Sequence, residues 1–185
     1  MNILVFGAQG SGKSTHAKYI ADKLGLPYVY TGDLFRRLAQ EDSPLGHQIK
    51  ERQERGLMVP NPIAIKAFKH YLSDLDISKG VVLDGYPRNF AQAQSLPVKV
   101  DLLIYVTLPE RTAIERLLKR GRHDDTPQSI KMRLDHYKKE TAPLLTHFKT
   151  EGAVFVGVDN TPPVDVVQKK IDDLLEKQRR NKNYA

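Results

Sequence analysis

The chain of 185 residues contains no cysteine and no long apolar run. Without cysteine it cannot form disulfides, use a thiol nucleophile or bind zinc through thiolates, and its six histidines show no metal-ligand spacing. No apolar stretch approaches the roughly 20 residues needed to cross a bilayer, and residues 1–7 show neither a cationic leader nor a cleavage site. We therefore expect a cytoplasmic protein without zinc and without membrane association.

The sequence has fewer acidic than basic residues, with 22 Asp and Glu against 29 Lys and Arg, which gives a net charge of +7. A positive balance favours polyanionic partners, a class that includes nucleic acid, anionic membranes and phosphorylated small molecules. Cations cluster at residues 116–122 and again in a C-terminal tail with Lys177, Arg179, Arg180 and Lys182. Charge alone does not choose among these partners.

Low-complexity tracts and flexible linkers are missing too, so a chain of this length predicts one domain with its own core. Short apolar, β-branched runs predict five buried strands at residues 2–6, 28–30, 81–83, 102–106 and 154–158. Segments with helical spacing lie between them, at residues 13–23, 34–39, 63–72, 111–120, 130–148 and 164–177. This alternation predicts an α/β fold with a five-stranded parallel sheet, helices on both faces and ligands beyond the carboxyl ends of the strands. Tyr28 and Tyr30 fall on one side of a strand and are interpreted as packing residues.

Residues 7–14 read GAQGSGKS and fit the pattern G-x-x-x-x-G-K-[ST] in full, between a predicted strand and a predicted helix. Such glycines let backbone N–H groups turn towards phosphates, and the helix N-terminus adds positive partial charge. Lys13 then reaches the outer phosphates, and the hydroxyl of Ser14 or Thr15 contacts Mg²⁺ or a phosphate oxygen. The candidate phosphate-binding residues are Gly10, Ser11, Gly12, Lys13, Ser14 and Thr15. The alternative is a glycine-rich turn, and the pattern itself is shared by GTPases, ATPases and small kinases.

Other segments resemble the signatures of the adenylate kinase family. TGDLFR at residues 31–36 follows the second predicted strand, and GVVLDGYPR at residues 80–88 runs through the third. The resemblance extends in order over essentially the whole chain and includes GLMVP at 56–60, Gln92, Arg116, Arg120, GRHDD at 121–125, Arg133 and DNTPPV at 159–164.

This resemblance implies a single three-layer P-loop kinase domain over residues 1–185 with two smaller parts. A monophosphate-binding helical insert is expected near residues 30–61, and a lid over ATP is expected at residues 120–126. The implied reaction moves the γ-phosphoryl group of ATP to a nucleoside monophosphate, with AMP the favoured acceptor and two ADP the products. A monomer that binds ATP with Mg²⁺ is expected.

The resemblance also assigns roles to single residues. Arg116, Arg120 and Pro162 join the loop residues at ATP. The implied AMP-binding residues are Thr31, Arg36, Met58, Val59, Gly85, Arg88, Gln92, Arg122 and Arg133. The implied catalytic residues, which surround the phosphates as they come into line, are Lys13, Arg88, Arg120, Arg122 and Arg133. Asp84 is the expected holder of Mg²⁺, with Ser14, and Asp33 is a weaker candidate through water.

Two of these roles have plain alternatives. The helical arginines could instead pair with surface carboxylates such as Glu110 and Glu115. Gln92 favours adenine because its amide both donates and accepts, but it could be a solvated helix residue, and a flipped amide could serve guanine. Asn89 follows Arg88 as it does in kinases for pyrimidine monophosphates, so a UMP, CMP or broad-specificity kinase stays an alternative.

The predicted lid is shorter than those of short-lid members of the family, too short for a zinc site or a separate small domain. A hypothesis of another class is a nucleotide-dependent RNA-binding or assembly factor, suggested by the +7 charge and the basic tail. Because basic helix ends are usually only solvated, nucleic acid is the less favoured partner.

Overall fold

The structure is a computed structural model that describes residues 1–182, without the side chains of residues 181 and 182. The end of the basic tail, including the side chain of Lys182, therefore lies outside the described residues. Within the described part no helix is both long and apolar enough to span a bilayer.

Five parallel strands form one sheet in the order β2-β3-β1-β4-β5. Their bounds are β1 Ile3–Phe6, β2 Tyr28–Tyr30, β3 Val82–Asp84, β4 Leu102–Thr107 and β5 Val154–Asp159. All five predicted strands and the α/β fold class are confirmed. β1 lies at the centre, between β3 and β4, so the segment that follows it leaves the sheet at the middle of its carboxyl edge.

The helices are α1 Lys13–Leu24, α2 Thr31–Leu38, α3 Pro44–Glu54, α4 Asn61–Ser73, α5 Phe90–Gln94, α6 Glu110–Arg120, α7 Pro127–His136, α8 Leu144–Thr150 and α9 Val164–Lys182. α3 and the short α5 were not among the predicted helices. The single helix predicted over residues 130–148 is wrong, because a π-helical turn, Tyr137–Thr141, ends α7 and Pro143 precedes a separate α8.

Side chains of β1 alternate between two apolar layers, as the period of a strand requires. Leu4 and Phe6 are buried in a cluster that includes Phe68 of α4 and Phe148 of α8. Ile3 and Val5, on the other face, belong to a cluster with residues of α1 and α9. The sheet therefore has helices on both faces, as predicted, and β1 is held rigidly between them.

The helices of the predicted insert have a small core of their own, made by Phe35 of α2, Ile49 of α3 and Val59, together with Ala64 of α4. Ser43 starts α3, because its Oγ accepts a 3.0 Å hydrogen bond from the Gly46 N–H and Pro44 takes the first helical position. This cluster places the residues around 56–60 at the edge of the sheet.

Candidate active site

A cavity of about 400 Å³ lies at the carboxyl ends of β1 and β3. Its walls come from the phosphate loop, α2, the segment before α4, the turn after β3, α6, the predicted lid and the region of α7. Central carboxyl strand ends are the usual ligand position in open parallel sheets, and the strand order places two of them side by side here.

The phosphate loop is pressed against neighbouring backbone at its glycines. Gly7, Gly10 and Gly12 have φ values of 152°, 80° and 88°. A Cβ on Gly7 would lie 2.4 Å from the Val106 carbonyl oxygen, and one on Gly10 would lie 2.5 Å from the Ala113 carbonyl oxygen. Only glycine fits both the conformation and the space, so β4 and α6 fix the shape of the loop.

Cationic side chains dominate the cavity wall. Among the described residues the wall has one carboxylate, that of Asp124, and seven cations: Lys13, Arg36, Arg88, Arg116, Arg120, Arg122 and Arg133. Arg36, Arg120 and Arg133 form ion pairs with carboxylates, and the positive charge that is left favours the binding of anions. The cavity is therefore built for highly charged anions.

Lys13 and Arg88 are the cations whose charge is hardest to maintain without a ligand. Burial lowers the pKa of both groups, and for Lys13 the nearby charge of Asp84 opposes this decrease. Neither side chain takes part in any of the ion pairs formed within residues 1–182. Bound phosphate would supply the missing negative charge at both positions.

Arg88 is held by its neighbours at both ends. Its Nε donates to the Gly85 carbonyl at 2.7 Å, and its backbone N–H donates to Gln92 Oε1 at 2.8 Å. The Thr141 hydroxyl, at the end of the π-helical turn, donates to the Arg88 carbonyl at 2.7 Å. Both backbone polar groups of Arg88 are thus bonded to side chains, which fixes the backbone position from which its side chain extends.

Gln92 is only 1 % exposed, so the alternative of a solvated helix residue is wrong. Its Nε2 donates to Asn61 Oδ1 at 3.1 Å, and the same oxygen accepts a 2.9 Å bond from Asn89 Nδ2. Asn89 also caps α5, since its Oδ1 accepts from the Gln92 N–H. These bonds fix which end of the Gln92 amide is oxygen and which is nitrogen.

The lid residues form a buried network around Asp125. Arg120 donates to it from Nε at 2.8 Å and Nη2 at 2.7 Å, and Arg133 donates from Nη2 at 2.7 Å. Arg133 also bonds Asp124, and the Arg122 N–H approaches Asp125 at 3.4 Å. Burial alone would raise the pKa of Asp125, but the bonds from the two guanidinium groups outweigh it and lower the pKa to about 2.

Asp84, at the end of β3, is a fully buried carboxylate with one uncommitted oxygen. Its Oδ2 accepts a 2.9 Å hydrogen bond from the Tyr28 hydroxyl, while its Oδ1 has no hydrogen-bond partner. Burial, together with the charge of Asp84, raises the pKa of Tyr28. A buried carboxylate oxygen without a donor fits a site that holds a hydrated cation.

The side chains around the cavity offer electrostatic chemistry rather than covalent catalysis. Described residues near the cavity include no cysteine, and no group of three or more His, Asp or Glu side chains in residues 1–182 could hold a metal by itself. Rigid cations around two anions, beside one buried carboxylate, can align the anions and neutralise charge that moves between them.

Comparison with known proteins assigns the family. The family model described as adenylate kinase matches residues 5–153. The chain belongs to the adenylate kinase family. It is 37% identical over 177 residues to an adenylate kinase of Nocardia farcinica, covering 92% of this chain and 96% of that one. An adenylate kinase of Oenococcus oeni is 36% identical over 183 residues, covering 94% and 97% of the two chains.

An adenylate kinase of the archaeon Methanosarcina barkeri is 32% identical over 214 residues, covering 96% of this chain and 99% of the relative. That alignment is longer than this chain of 185 residues, so the relative has segments without a counterpart here. The family resemblance of the motifs is thereby confirmed over nearly the full length.

Most of the residues predicted for an adenylate kinase site are brought together on the cavity wall. They are Gly10, Gly12, Lys13, Ser14, Thr15, Arg36, Met58, Val59, Gly85, Arg88, Gln92, Arg116, Arg120, Arg122 and Arg133. The surface-pairing alternative for the helical arginines is wrong for Arg116, because Glu115 pairs with Arg111 and Glu110 pairs with Lys138.

Five predicted residues are not on the wall. Ser11, Thr31 and Asp84 are buried behind it, at 2 %, 0 % and 0 % exposure. Pro162 is half-buried in the turn before α9 and does not line the cavity. Asp33 forms an ion pair with Arg36, its side chain is 63% exposed and it does not line the cavity, and its role at the cation through water stays a prediction.

Sequence reasoning missed several residues of this site. Tyr30 was interpreted as packing, yet it lines the cavity with the Arg36 guanidinium 5.2 Å from its ring centre. Burial would raise the pKa of Tyr30, but the neighbouring Arg36 outweighs it and lowers the pKa. Asn61 and Thr141 were missed, and Asn160 was quoted only as part of DNTPPV without a role, because each acts across a long stretch of chain that no local spacing reveals.

Proposed function

We propose that this chain is an ATP-dependent phosphotransferase that moves the γ-phosphoryl group of ATP to AMP and releases two ADP. The observation that carries the proposal is the cavity itself. It has a phosphate loop at one end, Arg88 and the oriented amide of Gln92 at the other, and cations between them. Family membership supplies the reaction class, and the amide supplies the preference for adenine.

The ATP end consists of the loop residues Gly10 to Thr15 with Arg116 and Arg120, and we also assign to it Pro162, which lies outside the cavity wall. The backbone N–H groups of a glycine-rich loop at a helix N-terminus are uncharged dipoles that bind phosphates, and Lys13 adds a full positive charge. Arg116, on the same helix face as Arg120, is the residue that we assign to the base of ATP.

The AMP end consists of Arg36 and Arg88 for the phosphate and of Gln92 for the base, with Thr31, Met58, Val59 and Gly85 around them. Arginine suits the phosphate because its planar fork bonds two oxygens and keeps its charge. Asn89 bonds the cap of α5 and Asn61 and does not line the cavity, whereas Gln92 does, so Gln92 and not Asn89 is the proposed contact with the base.

Lys13, Arg88, Arg120, Arg122 and Arg133 are the proposed catalytic residues. Phosphoryl transfer gains mainly from alignment of the two substrates and from neutralisation of charge on the transferring group. Because Asp125 holds Arg120 and Arg133, the remaining N–H groups of both guanidinium groups are preorganised for the phosphates.

Mg²⁺ fits at Asp84, whose free Oδ1 can accept hydrogen bonds from a hydrated ion, and the Ser14 hydroxyl lines the adjoining wall. When bound with ATP, the ion would neutralise charge on the phosphate oxygens. Asp33 stays a candidate only through water, since its carboxylate is paired with Arg36. The absence of cysteine favours a reducing cytoplasm, and we propose a monomer whose partners are ATP and AMP rather than nucleic acid or membrane.

Replacement of Arg88 by Ala tests the assignment. A phosphate-binding arginine in a phosphoryl-transfer site contributes roughly 10³ to 10⁵ in rate, so AMP-dependent ADP formation should fall by at least roughly 10³. Arg111→Ala is the matched control, because that arginine is 93% exposed and pairs only with Glu115. Arg88→Ala that stays folded and keeps most of its activity would refute the proposal.

A further inference from the structure

Two buried side chains outside the proposed catalytic set connect the phosphate loop to the end of β5. His16 of α1 and Asn160, which follows β5, are 0 % and 4 % exposed and lie 144 residues apart in the chain. His16 Nε2 and Asn160 Oδ1 are 2.8 Å apart, and Asn160 Nδ2 donates to the Ser11 carbonyl at 2.6 Å. The His16–Asn160 pair therefore contacts the loop directly.

The direction of each bond is determined by chemistry. The Ser11 carbonyl can only accept, so the nitrogen of the Asn160 amide must face it and the amide oxygen must face His16. His16 must then carry its proton on Nε2 and donate it. His16 Nδ1, on the far side of the ring, is buried without a hydrogen-bond partner. Reversal of the Asn160 amide would turn its oxygen towards the Ser11 carbonyl oxygen, and both acceptors would lose their donor.

The bond to the Ser11 carbonyl orients the peptide unit between Ser11 and Gly12. In a planar trans peptide the C=O and N–H groups point in opposite directions. Since the Ser11 oxygen points at Asn160, the Gly12 N–H points away from it, to the side of the cavity that Gly12 lines. The bond from Asn160 thereby fixes the direction of this backbone donor.

Asn160 is itself fixed and reaches a second part of the ATP end. Its backbone N–H donates to the Thr107 carbonyl at 2.9 Å, which anchors it to β4. Its carbonyl accepts a 3.4 Å bond from Arg116 Nη2. A Cβ on Gly12 would lie 2.1 Å from Asn160 Nδ2, so the loop and the amide are in close contact.

We propose that Asn160, oriented by His16, is a positioning residue for the ATP half of the site. Its amide holds the phosphate loop with the Gly12 N–H directed at the phosphates, and its carbonyl holds Arg116 beside the loop. The inference rests on the proposed function in one respect only, namely that ATP is the nucleotide at this loop. The inference concerns the ATP half of the cavity alone, because no hydrogen bond among residues 1–182 joins the His16–Asn160 pair to the AMP end.

The experiment measures Kd for a non-hydrolysable ATP analogue and, separately, KM for ATP and for AMP. Asn160→Ala should raise Kd and the KM for ATP about tenfold, the effect expected for one lost buried hydrogen bond and a loosened loop, with the KM for AMP changed less than about twofold. Asn2→Ala is the matched control, because the Asn2 amide also donates to a carbonyl, that of Lys99 at 2.9 Å, at the opposite end of the sheet.

His16 supplies a second pair of variants if Asn160→Ala fails to fold. His16→Leu removes the donor and should raise the KM for ATP about threefold, whereas His16→Gln keeps an N–H at similar reach and should restore it. Equal increases in both KM values, or folded variants with unchanged ATP affinity, would overturn the inference. A wild-type chain that binds the analogue but does not phosphorylate AMP would refute the proposed function and leave the affinity test intact.

Discussion

Arg120 and Asp125 are joined by two parallel hydrogen bonds, from Nε to Oδ2 at 2.8 Å and from Nη2 to Oδ1 at 2.7 Å. The Asp125 side chain is completely buried, and Arg133 donates to it as well. One carboxylate therefore holds two proposed catalytic arginines in place, and the network can be tested through the charge of Asp125.

Asp125→Asn should destabilise the fold by about 2 kcal/mol at neutral pH, because the amide imitates the protonated acid that the arginines disfavour. The folded pKa of Asp125, about 2, lies below the ordinary value of about 4, so the ionised form favours the folded state above pH 4. This contribution is lost as the pH falls towards 2. Urea unfolding at several pH values should show the difference between wild type and variant shrinking over that window; a constant difference would contradict it.

Asn61 is expected to determine how well the site separates AMP from GMP. Its Oδ1 accepts from Gln92 Nε2, and adenine and guanine present opposite patterns of donor and acceptor to an amide. Asn61→Ala removes one of the two bonds that fix the amide, so the kcat/KM ratio of AMP to GMP should fall about fivefold. Asn61→Asp keeps an acceptor oxygen and should retain the ratio. If both variants retain it, Asn61 does not orient Gln92.

Thr141 should act on the AMP end through the Arg88 carbonyl. Thr141→Val keeps the shape and removes the 2.7 Å hydrogen bond, so the KM for AMP should rise about fivefold while the KM for ATP is unchanged. Thr141→Ser keeps the hydroxyl and should behave as wild type. Thr150→Val is the control, since that hydroxyl also donates to a carbonyl but is exposed and outside the cavity. A Ser variant as impaired as Val would show that packing, not the bond, matters.

The short lid should allow some ATP hydrolysis without an acceptor. Only residues 121–126 join α6 to α7, which leaves little chain to cover the cavity against water. Phosphate release from ATP in the absence of AMP should exceed that of Lys13→Met, which serves as the background control. Equal rates in the two proteins would show that the short segment excludes water effectively.

The strands and the phosphate loop could be predicted from the sequence because their signals are local. Each strand is a short apolar run bounded by turn residues, and the loop is a contiguous pattern whose glycines are confirmed by positive φ. The start of α7 is equally local, because the Thr126 Oγ1 accepts a hydrogen bond from the Ser129 N–H three residues further on.

Elements determined by tertiary contacts could not be predicted in this way. α3 buries only one large apolar side chain, that of Ile49, while Leu45 is exposed, so its periodicity is weak and its Ser43-Pro44 start resembles a turn. The π-helical turn differs from an α-helix by one residue, and its consequence, the bond from Thr141 to Arg88, spans 53 residues. The same applies to Asn160, whose bond to Ser11 spans 149 residues.

A panel of acceptors tests the central claim most directly. ADP formation from ATP and Mg²⁺ would be measured with AMP, GMP, CMP and UMP as acceptors. The account predicts the highest kcat/KM with AMP and two ADP formed for each AMP consumed. A higher kcat/KM with CMP or UMP than with AMP would contradict the role given to Gln92, and no acceptor-dependent ADP with any of the four would contradict the proposed reaction.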